Sequence, residues 1–308
     1  MKNLLKRIGL AATFVTAFGA HAQSNAQVKY SDPYLGAEPV PELTIRYLAF
    51  PSSAQGRRIT VSGRLQMPLQ EASSAPLPAV IIMHGTGGVS LRGSYYAIAL
   101  NRAGIATLEV DQWGARGLSG GAEGRPKTVY ETLPDVFGAQ DLLANTKGID
   151  ARRIGVLGFS WGGVAAMLAS TQRYQDEYGH PGGPLLAAAM SFYPVCWGYG
   201  RVPGYEVDTM RAIPLRIVAA GEDDYDEGAA PCETLVKQAL PLEARAKASL
   251  KIYPGVGHAF DGFSPVSQHP DPYGHLGKGG LVTIGPAAPE ARAAARADVV
   301  QFFAGSLK

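Results

Sequence analysis

Only two cysteines, Cys196 and Cys232, occur in the 308 residues, and that scarcity removes whole classes of chemistry. No Cys-x-x-Cys redox pair and no cysteine-rich zinc site can be assembled, and at most one disulfide can form. Charge of one sign is lacking too: 28 Lys and Arg face 26 Asp and Glu, with no basic stripe to mark a nucleic-acid partner. Beyond the N-terminal segment no apolar run approaches the roughly 20 residues that span a bilayer, so no membrane anchor is expected. Internal repeats and heptads are missing, and no Lys-Ser/Thr pair follows the glycine turn His84–Gly88 as a phosphate loop requires.

What is present starts with a basic stretch (Lys2, Lys6, Arg7), an apolar run from Ile8 to Ala20, and Ala20-His21-Ala22 before Gln23. This pattern predicts a cleavable secretory signal over 1–22 and export to a periplasm or to the medium. Without it, 25 basic residues face 26 acidic ones, a balance that suits small or weakly charged substrates. No cysteine follows the cleavage site, so lipid anchoring there is not indicated. In an oxidising compartment Cys196 and Cys232 are expected to pair. Residues 23–308 are long enough to bury one large core and are expected to form a single domain.

Leu43–Phe50 and Arg58–Met67 alternate apolar and polar residues around Ser52-Ser53-Ala54-Gln55-Gly56 and predict an antiparallel hairpin. Ala79–Met83 is a short apolar run of the kind buried on both faces of a sheet. A helix is expected over Tyr95–Ala103, a strand over Ala106–Val110 and a helix over Asp135–Ala144. Further strands are expected at Leu186–Phe192, Leu215–Ala219 and Leu250–Tyr253, with helices over Cys232–Leu240 and Glu290–Leu307. Such alternation implies an α/β fold with a mostly parallel sheet covered on both faces. The least regular segment, Asp261–Pro289, forms a long Gly- and Pro-bearing loop beside the expected site.

The chemistry centres on Ile154–Gly163, an apolar run that meets Gly158-Phe159-Ser160-Trp161-Gly162 and continues into a helix. A strand, a sharp turn and a helix in that order lift a serine hydroxyl clear of a sheet edge, which makes Ser160 the candidate nucleophile. With 38 glycines in the chain, the pentapeptide alone carries little weight; its setting and the Asp and His downstream carry the inference.

A serine hydroxyl needs an adjacent base. His258, after a strand and among glycines in Pro254-Gly255-Val256-Gly257-His258, is the candidate; His84 is the competitor, although a loop histidine bonded to backbone is the plainer reading of it. The imidazole in turn needs a carboxylate. The cluster Gly221-Glu222-Asp223-Asp224-Tyr225-Asp226 supplies it, and Asp224 is the expected acid because the turn at Gly221 should swing the third residue after it over the sheet edge; Asp223 and Asp226 are the alternatives. Oxyanion donors are expected from the backbone amides of Trp161 and Thr86, with Gly87 as substitute for the latter. His269, Asp271 and His275 match no strong metal pattern, so neither a metal nor a cofactor is expected. Trp113, Trp161, Trp197, Tyr199, Tyr225 and Phe260 suggest an aromatic-lined pocket, although ordinary packing accounts for any one of them equally well.

From Ala79 to the C-terminus the chain resembles the dienelactone hydrolase family of α/β hydrolases. The matching segments are His84–Gly88, Asp111–Gly117, Gly158–Gly163, Gly221–Asp224 and Tyr253–Asp261. The resemblance implies an α/β-hydrolase fold, with Ser160 as nucleophile, Asp224 as acid, His258 as base and oxyanion amides at Thr86 and Trp161. It makes Arg116 a structural arginine. The namesake enzymes use cysteine on a cyclic enol-lactone, whereas serine here implies a carboxylesterase acting on small-molecule esters. Two other readings use the same residues: a silent binding protein on a hydrolase scaffold, and a peptide or amide hydrolase. No oligomeric state is implied.

Overall fold

A computed structural model describes residues 41–308, except 72–73 and 286–287. The expected signal, 1–22, lies outside the described residues. Ten strands are described: β1 Leu43–Ala54, β2 Arg57–Pro68, β3 Leu77–Met83, β4 Ala106–Asp111, β5 Ile149–Phe159, β6 Ala188–Phe192, β7 Leu215–Ala220, β8 Ala248–Tyr253, β9 Ser267–Asp271 and β10 Gly280–Ile284. Four helices fall in the first part of the chain: α1 Leu91–Arg102, α2 Pro134–Ala144, α3 Trp161–Ala169 and α4 Gln172–Tyr178. After them come α5 Ala230–Thr234, α6 Leu242–Arg245, the single turn α7 Gly274–Gly277 and α8 Pro289–Ser306.

The first eight strands form one sheet in the order β1-β2-β4-β3-β5-β6-β7-β8. The hairpin β1–β2 joins β4 antiparallel, and every pairing from β4 to β8 is parallel. Parallel strands covered on both faces need continuous apolar sequence, and Ala79–Met83 supplies it with no side chain reaching solvent. The hairpin edge is more solvated: Thr44 to Tyr47 of β1 are all exposed, and alternation with buried positions appears in β2 at Val61, Gly63 and Leu65. Its strands run further than the composition suggested, because Gln55 and Gly56 (φ 50° and 75°) close a two-residue turn whose twist matches the strands.

The chain steps from β3 outward to β4 and then returns to β5 on the other side of β3. Loops leaving the carboxyl ends of β3 and β5 therefore diverge and leave a crevice there. Near the middle of the sheet, Phe303 of α8 packs against Gly155 of β5, where a β-carbon would lie 2.8 Å from the ring.

The helix expected over Cys232–Leu240 is a short α5 that widens into a π-helical turn at Leu235–Ala239, closed by Leu240 N–H to Leu235 O. Pro241 then bars continuation. Helix α4 was not anticipated, and its N-cap is Thr171, whose hydroxyl accepts the Tyr174 N–H. The segment Asp261–Pro289 carries the antiparallel ribbon β9–β10 rather than remaining irregular throughout. Cys196 and Cys232 form the expected disulfide.

Candidate active site

Ser160 sits between β5 and α3 with φ 51° and ψ −112°, a backbone conformation that side chains other than glycine's rarely adopt. The turn is possible because its flanks are bare. A β-carbon on Gly158 would run into Gly162 O, and one on Gly162 would run into Met83 O. The glycines thus let α3 start directly against β5 and β3, and Ser160 is held above the sheet by Ser160 N–H to Phe192 O and Val164 N–H to Ser160 O.

His258 follows β8 and is 2 % exposed. Its Nε2 lies 2.8 Å from Ser160 Oγ and its Nδ1 lies 2.8 Å from Asp223 Oδ2. The carboxylate on the imidazole is therefore that of Asp223, not Asp224 as the sequence led us to expect. Gly221 N–H bonds Tyr253 O and Glu222 N–H bonds Val256 O, so the chain leaving β7 stays pinned to the end of β8 for one residue more than expected. The turn then places the second residue after Gly221 over the sheet edge, and Asp223 Oδ1 accepts the Tyr225 N–H to fix it. Asp224 faces the ribbon, where its carboxylate accepts the Thr283 N–H at 2.7 Å. The third acid, Asp226, accepts the Cys196 and Trp197 amides beside the disulfide, and burial together with Asp223 pushes its carboxyl up to about 7.

His84 is built into the loop after β3. Its Nε2 accepts the Gln112 N–H at 3.0 Å, and its Nδ1 therefore donates to Gly85 O at 2.7 Å. Burial lowers its pKa to about 4, which keeps the ring neutral. Gly85 O also accepts the Gly88 N–H, while Thr86 O accepts the Gly121 N–H at 2.7 Å and Trp113 Nε1–H at 3.1 Å. In a trans peptide N–H and C=O point oppositely, so fastening these two carbonyls turns the amides of Thr86 and Gly87 the other way. Nothing in the residue spacing pointed to Trp113 as the tie on this loop. Trp161 begins α3 immediately after Ser160, and its indole N–H is bonded to Thr132 Oγ1. Arg116 is structural: it bonds Asp135, Gln112 O and Glu131 O.

Ser160 and His258 open into a cavity of about 290 Å³. The loop Gly85–Gly88 and Leu91 form one wall, and Phe263, Pro265 and Ile284 of the ribbon segment form another. None of Trp113, Trp161, Trp197, Tyr199, Tyr225 and Phe260 lines this cavity, contrary to expectation; its wall is mostly apolar, with Phe263 as its one such ring and with Ser90, Arg92, Ser264 and Ser267 beside it, while Trp197 has its indole N–H on Tyr273 O. His269 and His275 belong to the ribbon and its turn, and Asp271 is taken up by Arg125 and Tyr225. Among the described residues, the group Cys196, Asp226 and Cys232 has metal-like spacing, but its sulfurs are consumed by the disulfide.

Residues 74–195 match the family model described as serine aminopeptidase, S33. That span includes Ser160 and ends before Asp223 and His258. No curated protein sequence matches significantly. Among solved structures, the chain is similar to a Klebsiella pneumoniae subsp. pneumoniae protein assigned as a dienelactone hydrolase, with a TM-score of 0.56 and 18% identity over 85% of this chain and 99% of that one. The hyperthermophilic esterase of the archaeon Pyrobaculum calidifontis gives 0.56 and 18% over 88% of each chain. The thermophilic carboxylesterase EstE1 from a metagenomic library gives 0.56 and 18% over 88% of this chain and 91% of that one. The chain has the α/β-hydrolase fold.

Proposed function

We propose that this α/β hydrolase is a serine esterase that cleaves small carboxylic esters by two-step acyl transfer. The observation that carries the reading is the linear run of hydrogen bonds from Ser160 through His258 to Asp223, opening into a small apolar cavity. Ser160 Oγ attacks the ester carbonyl while His258 Nε2 takes its proton. The amides of Trp161 and of Thr86 receive the negative oxygen. His258 then protonates the departing alcohol, leaving an acyl group on Ser160. Water, deprotonated by the same nitrogen, attacks that acyl carbonyl, and the acid leaves as Oγ regains its proton. Asp223 holds the tautomer that presents a lone pair at Nε2 and stabilises the imidazolium. No cofactor enters these steps.

A cavity of about 290 Å³ lies at the lower end of small-molecule sites and favours short acyl groups. The esterases and the assigned dienelactone hydrolase among the structural relatives agree with this chemistry. The N-terminal pattern and the disulfide together support export after removal of residues 1–22, leaving a single mature domain.

The test is hydrolysis of p-nitrophenyl acetate, butyrate and octanoate, with fluorophosphonate labelling read by intact mass, in wild type and Ser160→Ala. Turnover that falls from butyrate to octanoate, with label and turnover both lost in the variant, is the expected result. A folded wild type that neither turns over nor labels would refute it. Matched amide substrates, expected to be cleaved far more slowly, separate an esterase from a peptidase.

A further inference from the structure

The imidazole of His258 makes ring contacts with two tyrosines that the reaction steps do not use. Tyr193 lies on one ring contact, with centroids 4.7 Å apart and planes at 59°; Tyr225 makes another at 4.4 Å and 47°. Each hydroxyl is tethered to a buried carboxylate, and each carboxylate to an arginine. Tyr193 donates to Asp261 at 2.6 Å, and Asp261 meets Arg92 at 3.1 Å. Tyr225 donates to Asp271 at 2.9 Å, and Asp271 meets Arg125 at 2.9 Å. The two Arg–Asp–Tyr chains share only the Asp261–Pro289 segment, which supplies both carboxylates, and they converge on one imidazole.

The convergence is built at a cost to the backbone. Tyr193 leaves β6 with φ 37°, inside the left-handed region, and is locked there by its N–H on Val218 O. Strain of this kind persists only where the surroundings enforce it. Burial pushes the Tyr193 hydroxyl well above the ordinary range, with Asp261 adding to the shift; Tyr225 is raised by burial first and then by Asp271. Both therefore keep their protons and remain donors. A phenol that donates to a carboxylate carries extra electron density on its ring, and an electron-rich ring attracts a cation.

We propose that Tyr193 and Tyr225 are positioning residues that hold the His258 ring and stabilise its protonated form, and that the Asp261–Arg92 and Asp271–Arg125 pairs fix the two rings. The proposal rests on the acyl-transfer reading for its effect on rate, but not for its effect on the imidazole. Among the described residues, the titratable groups in contact with the ring are Asp223 at Nδ1, Tyr193 from the end of β6 and Tyr225; behind them lie Asp226, Asp261 with Arg92 and Tyr96, and Asp271 with Arg125. None of these is altered in the variants below except the tyrosine under test.

The experiment compares Tyr193→Leu and Tyr225→Leu, which remove a ring, with Tyr193→Phe and Tyr225→Phe, which keep the ring and remove its tether. Each is checked for folding by circular dichroism. Two quantities are read: ester kcat and KM across pH, and the ¹⁵N titration of the His258 imidazole in histidine-labelled protein, assigned by its loss in His258→Gln. The leucine variants should lose about 5- to 30-fold in kcat with KM within about twofold, since neither tyrosine lines the cavity. The acidic limb of kcat/KM and the imidazole midpoint should both move to lower pH by about half a unit to one unit. The phenylalanine variants keep the ring but lose its tether and the electron donation that comes with it, so they should fall between the wild type and the ring-less variants in both readouts. Methionine at the same positions gives a second ring-less side chain, more flexible and better able to fill the gap, if leucine does not fold.

Folded leucine or methionine variants with unchanged kcat and an unmoved titration would overturn the proposal. So would phenylalanine variants as impaired as the ring-less ones. If the wild type hydrolysed no ester, the esterase reading would fall, while the titration would still decide for or against the two rings.

Discussion

The carboxylate of Asp224 accepts the Thr283 backbone N–H at 2.7 Å, so it fastens the β9–β10 ribbon instead of the imidazole. Its peptide oxygen accepts the His275 N–H on the same structure. Two adjacent aspartates thus divide the work, Asp223 serving the histidine and Asp224 the ribbon segment that forms one wall of the cavity.

Substituting each in turn should separate them. Asp223→Asn should lower kcat by about 10³- to 10⁴-fold, because an amide at that position favours the wrong imidazole tautomer. Asp224→Asn keeps an acceptor for Thr283 and should stay within about fivefold. Steady-state kinetics on a p-nitrophenyl ester checks both, and equal losses would contradict the assignment of Asp223.

Ser160→Ala and His258→Ala should each cost on the order of 10⁴ to 10⁶ in kcat, and the double variant should be little worse than either alone, since the two groups act as a unit. Additive losses in single-turnover assays would show that they do not share a step.

Neutral His84 sets a pH dependence of stability. Its folded pKa, about 4, lies below the unfolded value of about 6.5, so the unfolded chain binds the extra proton between them. The contribution is complete above pH 6.5 and is lost as pH falls toward 4, amounting to about 3 kcal/mol. Urea melts at a series of pH values should show wild type losing stability relative to His84→Asn by that order across the window. A difference that is flat with pH would refute the neutral, buried ring.

Trp113→Phe removes the donor to Thr86 O while keeping an aromatic ring. If the Gly85–Gly88 loop supplies the proposed oxyanion amides, loosening it should lower kcat about 10-fold with KM little changed, as expected for a contact that matters only in the transition state. A rise in KM with kcat intact would place Trp113 in substrate binding instead.

The disulfide closes a segment with a sequence separation of 36 and leads into the loop holding Asp223 and Asp226. On the chain-entropy treatment it contributes about 4 kcal/mol. Cys196→Ser/Cys232→Ser should therefore melt well below wild type in calorimetry, and reduction of the wild type should reproduce that shift.

Local pattern was enough for much of the architecture. Short, β-rich apolar runs such as Ala79–Met83 and Ile154–Phe159 read as strands covered on both faces, and the Gly-x-Ser-x-Gly turn sets Ser160 between an apolar strand and a helix, because backbone conformation there depends on neighbours one or two residues away. His258 was legible for the same reason, lying at a strand end among glycines. Which of Asp223, Asp224 and Asp226 meets His258 was not: the choice turns on how long the chain after β7 stays bonded to β8, a pairing between segments some 30 residues apart. The tie from Trp113 to Thr86, the neutral state of His84 and the two tyrosine rings on His258 are of the same kind. Each joins residues that only the packed sheet brings together, so spacing could mark His84 as bonded to backbone and Trp113 and Tyr225 as aromatics near the site, but tertiary contact decided which partner each one meets.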